Sequence, residues 1–207
     1  FTEQETTMRE FILRARKGPT TPHFSLDDLS RAGRLEIICH CIANALFYAK
    51  QIRSHTHIHV VLDGPSDPPK TVRLESDTLG YLGGFDEQTL ARTLQNALTV
   101  GKNLALGEEK QSEAGIFVAK KGFEPLVKEK AATSNLYYLQ RKGTDIRTLT
   151  LPETATFVFT DHLGMPKKTD KYLNRLGANP ISVGPKILFA SQCIVLVHNE
   201  LDRQGRP

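Results

Sequence analysis

The stretch ISVGPKILFASQCIVLVHNELD, residues 181–202, decides how this chain is read. It begins as a short apolar strand, turns at Gly184 and Pro185, and continues as a nearly unbroken apolar run that stops at a charged tail. The run is shorter than the roughly 18 apolar residues that a membrane span requires. Its composition is that of a buried helix entered through a stiff loop, since glycine admits close backbone approach and proline restricts the turn.

Working outward, the same strand-then-helix order recurs upstream. EFILRAR (10–16), HIHVVL (57–62), KTVRLES (70–76), GIFVA (115–119), NLYYLQ (135–140), TFVFT (156–160) and PISV (180–183) are short β-branched or aromatic runs that predict strands. RLEIICHCIANALFYAK (34–50), FDEQTLARTLQNALTV (85–100), GFEPLVKEKAAT (122–133), PKKTDKYLNRLGA (166–178) and ILFASQCIVLVHNEL (187–201) predict helices, the first from clear helical spacing of its apolar residues. Ser25 in SLDD is placed to cap a helix with Asp28 three residues on. KGTDIRTLTL (142–151) reads as a turn and a further strand, and KNLALGEEKQSE (102–113) as an exposed excursion without a period. Strands alternating with helices predict an α/β fold with a mainly parallel sheet and helices on both faces. Residues 8–207 are expected to form a single domain, and the patternless residues 1–7 read as a leader.

The 207-residue chain is 39% hydrophobic and 24% charged, ordinary for a globular protein, and carries a net charge of +4. It shows no signal-peptide pattern at the front. Cys39, Cys41 and Cys193 are an odd set, with the first two too close to bridge, so reduced thiols and a cytoplasmic location are expected. Basic residues cluster in MREFILRARK (8–17) and at Lys120-Lys121, Arg141-Lys142 and Lys167-Lys168, which together point to an anionic polymer.

In doubly wound α/β folds ligands bind where strands end. Three exits here, LQRKG (139–143), TDHLGMP (160–166) and SVGPK (182–186), combine glycine with apolar neighbours and outline a pocket for a flat heterocycle. No GxGxxG or GxxxxGK[ST] occurs, which argues against a phosphate-rich nucleotide. HTHIH (55–59) places three histidines on one face of a possible strand, but no other ligand cluster completes a site by its spacing, so no metal is expected. Asp161 and His162, leaving an apolar strand beside Gly164, are the best candidates for proton chemistry; the competing reading makes Asp161 a cap for the helix near Pro166.

With these segments assembled, the chain resembles the trefoil-knotted SPOUT-class RNA methyltransferases, most closely the tRNA pseudouridine N1-methyltransferase branch with its bacterial members. The resemblance rests on MREFILRARKGPT, LDGPSDPPKTVRLES, FVFTDHLGMP and ISVGPKILFASQCIVLVHNELDR, and spans Met8 to Arg203. It implies a deep trefoil knot in the carboxyl-terminal part, S-adenosylmethionine as cofactor, a homodimer, and tRNA or another structured RNA as partner. Carried onto this chain, it implies cofactor contacts at Leu139, Gly164, Val183, Gly184, Leu188 and Cys193. The chain departs from archaeal relatives in carrying Thr160 where they tend to have glycine. The implied reaction is methyl transfer to N1 of pseudouridine in the tRNA T-loop, with Asp161 as catalytic residue and Arg9, Arg14, Arg16 and Lys17 on RNA phosphates. Two other readings stay open: a knotted RNA- or cofactor-binding protein without this activity, and the same class of enzyme acting on a different nucleotide.

Overall fold

The consecutive apolar residues Phe11, Ile12 and Leu13, buried on both faces, make Met8–Ala15 (β1) the strand on which the molecule is built. The computed structural model describes residues 7–205, and in it β1 is flanked on both sides by parallel neighbours. In chain order the other elements are Leu35–Leu46 (α1), Phe47–Tyr48 (β2), Gln51–Ile52 (β3), Thr56–Leu62 (β4), Lys70–Glu75 (β5), Glu87–Val100 (α2), Glu109–Glu113 (β6), Ile116–Ala119 (β7), Phe123–Thr133 (α3), Asn135–Asp145 (β8), Thr154–Thr160 (β9), Lys167–Arg175 (α4), Asn179–Ser182 (β10) and Ala190–Arg203 (α5).

Eight strands form one sheet in the order β10-β8-β9-β1-β4-β5-β7-β6. Pairings from β10 to β4 are parallel, and those from β4 to β6 are antiparallel. Because side chains alternate across a strand, β1 sends Phe11, Leu13 and Ala15 into a large core shared with α1, α2 and α5. Ile12 goes the opposite way, into a smaller core with Phe123, Leu126 and Val127 of α3 and Leu173 of α4. Helices therefore cover both faces, as a parallel sheet requires.

Several expected boundaries are corrected. The first helix stops at Leu46, and Phe47–Tyr48 turns back on Gln51–Ile52 as a small hairpin. Ser25 caps no helix: its Oγ accepts the N–H of Asp27 within a turn, and only a 3-10 turn, Leu29–Arg31, follows. The excursion at 102–113 holds the polar edge strand β6. β8 runs through the region read as the first loop, to Asp145, and 146–151 holds a 3-10 turn in place of a further strand. Helix α5 begins at Ala190, so Ile187, Leu188 and Phe189 belong to the loop before it.

The Gly143 position has a packing reason. A Cβ there would lie 2.6–2.7 Å from the backbone N, Cα and C of Ile181 on β10. Glycine at this point serves the approach of two chain segments rather than the approach of a ligand. Of the supposed leader, residues 1–6 lie outside the described residues.

Candidate active site

At the carboxyl ends of the parallel strands, β9 ends at Thr160, in register with Arg14 of β1. The pairing runs one residue further, because the Asp161 N–H donates to the Arg14 carbonyl at 3.2 Å. Asp161 then organises its own turn: Oδ1 accepts the Leu163 N–H at 3.0 Å, and its carbonyl accepts the Gly164 N–H at 3.2 Å. Gly164 sits at φ +69, the left-handed region that glycine reaches without strain. Asp161 does not cap α4, whose first turn has no side-chain cap. Its Oδ2 is buried and has no hydrogen-bond partner among the described residues; His162 Nδ1 is 3.9 Å away. A buried carboxylate oxygen left without a donor costs free energy, so it marks a place where a ligand proton could be received.

The facing wall is the segment before α5. The Phe189 N–H donates to Gln192 Oε1 at 2.9 Å, tying the loop to the first helical turn. Between this wall and the β9 exit lies a cavity of about 410 Å³, within the range of small-molecule sites. Leu139, Asp161, Gly164, Leu188 and Cys193 all line it. Val183 and Gly184 do not: Val183 packs against the main core, and Gly184 closes a turn through Ser182 Oγ, which donates to its carbonyl at 3.1 Å. Ile37, Phe159 and Phe189 add apolar walls that sequence reasoning missed. Ile37 comes from α1, more than a hundred residues from the other walls, and only its helical phase could have hinted at it. Thr160 also lines the cavity, and as the last residue of β9 it needs no glycine.

A second, wider cleft of about 830 Å³ is lined by Lys17, His23, Arg31, Arg34 and Pro65, and it shares His162 with the first. Arg31 and Arg34 were not expected here; Arg31 precedes the predicted helix 34–50 and Arg34 opens it, and the apolar period of that helix marks neither.

The four arginine and lysine candidates separate. Arg16 and Lys17 are exposed. Arg14 is mostly occupied: it donates to Asp63 at 3.3 Å and to Thr169 at 2.9 Å, with its guanidinium 4.7 Å from the centre of the Phe123 ring. Arg9 is a correction. It points into the α5 face and is 3% exposed, with Nη1 at 2.8 Å from Asp202 and 2.9 Å from His198 Nδ1. A basic residue at the start of a strand reads as surface, but here it is a buried structural cation.

Elsewhere, Lys70 of the GPSDPPK turn is buried, donating to Asp67 and the Gly101 carbonyl, so it is part of the scaffold. The three cysteines are free thiols. Burial raises all of them, Cys39 to about 12, which makes them poor nucleophiles.

The cavity fits S-adenosylmethionine in size and in its apolar walls, with a carboxylate where a cationic sulfonium and a departing proton could be received. Comparisons with known proteins agree in class. A protein-family model described as "Putative SAM-dependent RNA methyltransferase" matches residues 8–206. A Shewanella frigidimarina protein named "Putative pseudouridine methyltransferase" is 41% identical over 195 residues, covering 94% of this chain and 98% of its own length. A Vibrio cholerae protein of the same name is 39% identical over 197 residues, covering 95% and 98%. Among solved structures, Archaeoglobus fulgidus Nep1 bound to S-adenosylhomocysteine has the same fold at TM-score 0.64 and 12% identity, over 96% of this chain and 99% of that one.

Proposed function

The chain belongs to the SAM-dependent RNA methyltransferase family, and from that premise we propose that it methylates N1 of pseudouridine in RNA, in the T-loop of a tRNA. One observation carries the reading: the cofactor-sized apolar cavity and the basic cleft meet at His162, next to the unpartnered oxygen of Asp161. The names of the 38–41% identical relatives support the choice of base.

Pseudouridine is joined to its ribose through carbon, which leaves a ring N–H that uridine lacks. Once that proton leaves, the imide-like nitrogen is a good nucleophile. S-adenosylmethionine supplies an electrophilic methyl group on sulfur. The residues of the chain then have three tasks. Leu139, Leu188 and Cys193 enclose the donor and exclude water, and Gly164 keeps the second wall open. Asp161 receives or orients the N1 proton from its free oxygen, an acid–base contribution of about 10²–10⁴-fold. Arg16 and Lys17, with Arg31 and Arg34 of the cleft, hold phosphates and so fix the register of a base turned out of its stack. Alignment of nitrogen, methyl and sulfur is the larger part of the catalysis.

Transfer from labelled S-adenosylmethionine to tRNA carrying pseudouridine, and not to the same tRNA without it, is the expected result. Transfer to another nucleotide replaces the acceptor, and cofactor binding without transfer to any RNA replaces enzyme by binding protein.

Three finer features belong to the same reading. The carboxyl-terminal segment threads as a trefoil knot, supported by the contact of Gly143 with Ile181; an experimental backbone trace that closes without threading would remove it. Residues 8–207 act as one domain, which requires a single cooperative unfolding transition seen alike by all probes. The chain forms a homodimer through exposed Ile187, Phe189, Val195 and Leu196 at α5; a monomer mass by sedimentation at micromolar concentration would exclude it. Free thiols fit a reducing compartment such as the cytoplasm, testable by fractionation.

A further inference from the structure

On the α3 side of the sheet, away from the methyl-transfer cavity, a second cluster has no part in the proposed reaction. Glu10 of β1 is in register with His57 of β4, and His59 lies two residues on, so all three point to the same face. His55, the remaining histidine of HTHIH, is not with them: it precedes β4 at φ 48 and pairs with Asp77. Glu10 supplies the ligand missing from the local spacing, from a strand 47 positions earlier.

The geometry points to a site for a divalent transition metal, zinc or a close analogue, held by Glu10, His57 and His59. One donor atom from each lies within 4.8 Å of the others. His57 Nδ1 is 3.3 Å from Glu10 Oε1, and His59 Nε2 is 3.8 Å from Oε2. Ligands bound at about 2.1 Å in a tetrahedron stand about 3.4 Å apart, so small side-chain rotations suffice. Two imidazoles and one carboxylate are the donor set of many zinc sites with an open fourth position.

Two further observations separate this cluster from an ordinary ion-pair network. His59 is 3% exposed, and its Nε2, aimed at the cluster, has no hydrogen-bond partner among the described residues. The three residues also line a cavity of about 210 Å³ that leaves room for a water or an external ligand in the fourth position.

Lys130 of α3 is the competitor. Its Nζ lies 2.9 and 2.7 Å from the two Glu10 oxygens, so it neutralises the carboxylate when no ion does. An incoming metal has to displace it toward Glu129, which lines the same cavity. Affinity is therefore set by a contest between two cations for one carboxylate.

Zinc titration of the full reduced chain against a chromophoric chelator tests the site. One zinc per chain is expected, weakened at least tenfold by His57→Ala and Glu10→Gln, and tightened at least tenfold by Lys130→Ala. Cobalt in place of zinc should give tetrahedral d–d bands without a thiolate charge-transfer band. Absence of stoichiometric binding overturns the site. So does an affinity unchanged in both His57→Ala and Lys130→Ala, or a thiolate band that assigns the ion to the cysteines. The variants at His57 and Lys130, both only partly buried, decide the matter even if Glu10→Gln fails to fold. Methyl-transfer activity plays no part in the readout, so the outcome is independent of the proposed reaction.

Discussion

His198 should make this protein acid-sensitive. The ring is 1% exposed on α5, with its centre 4.6 Å from that of Phe11. Arg9 can only donate, so Nδ1 accepts from it at 2.9 Å, and Nε2 must carry the proton that goes to the Ala45 carbonyl at 2.9 Å. Protonating Nδ1 would destroy the first bond and set two cations against each other. Burial first, then the charge of Arg53, lowers the His198 pKa from 6.5 to about 3; Asp202, also in the network, pulls the other way.

A folded-state pKa below the unfolded one means that the unfolded chain takes up the proton first as pH falls. Stability from neutral His198 is full above pH 6.5 and is lost at about 1.4 kcal/mol per pH unit down to about pH 3. Between pH 7 and pH 5 the loss is about 2 kcal/mol. Urea unfolding followed by circular dichroism at both pH values, for the wild type and His198→Gln, measures it. The variant should start less stable but lose about 2 kcal/mol less over the interval. Equal losses in the two proteins would refute the tautomer and the burial argument together.

Asp161→Asn should lower single-turnover methyl transfer at least about 10²-fold with cofactor affinity unchanged, since the amide cannot take the proton; an unchanged rate removes Asp161 from catalysis. Gly143→Val places side-chain atoms against Ile181 and should cost at least about 1–3 kcal/mol, read as a fall in the urea midpoint; a midpoint at the wild-type value would mean that the two segments separate freely. Replacing Arg16 and Lys17 together by Gln should weaken RNA binding and reduce the magnitude of the salt slope by about 2, whereas a slope equal to that of the wild type would take both residues off the phosphates. Arg9→Met should instead leave the slope alone and destabilise the fold by about 1–3 kcal/mol, because buried His198 Nδ1 loses its donor while half-exposed Asp202 keeps Arg53; a shifted slope without destabilisation would return Arg9 to the RNA surface.

What was legible in the sequence was local. Short apolar runs located β1, β4 and β9, and helical spacing located α2, to within a few residues, because each element buries apolar side chains of its own. The Asp161 wall was legible as a strand exit, since glycine and proline mark where backbone leaves a sheet, whereas Leu188 came from the family resemblance alone. What was not legible depends on pairing across long separations. β8 continues past Leu139 because β10, over thirty residues later, supplies ladder partners as far as Asp145. Arg9 looked like surface because Asp202, which neutralises it, lies almost two hundred positions away. Glu10 joined His57 only through sheet register. Val183 and Gly184 stand one step back from the cavity lining, in the turn that leads to Ile187–Phe189.

The two borders of the large sheet differ in chemistry yet share one effect. β6 carries Glu109, Lys110 and Glu113 along its rim, with Glu109 clamped by Arg73. β10 has Pro180, which offers no N–H for a further ladder. Neither border invites another strand, so the sheet cannot be extended by a second molecule in the manner of a growing fibre. That leaves helical surfaces such as α5, the face of the proposed homodimer, where a two-fold axis would close the assembly at two.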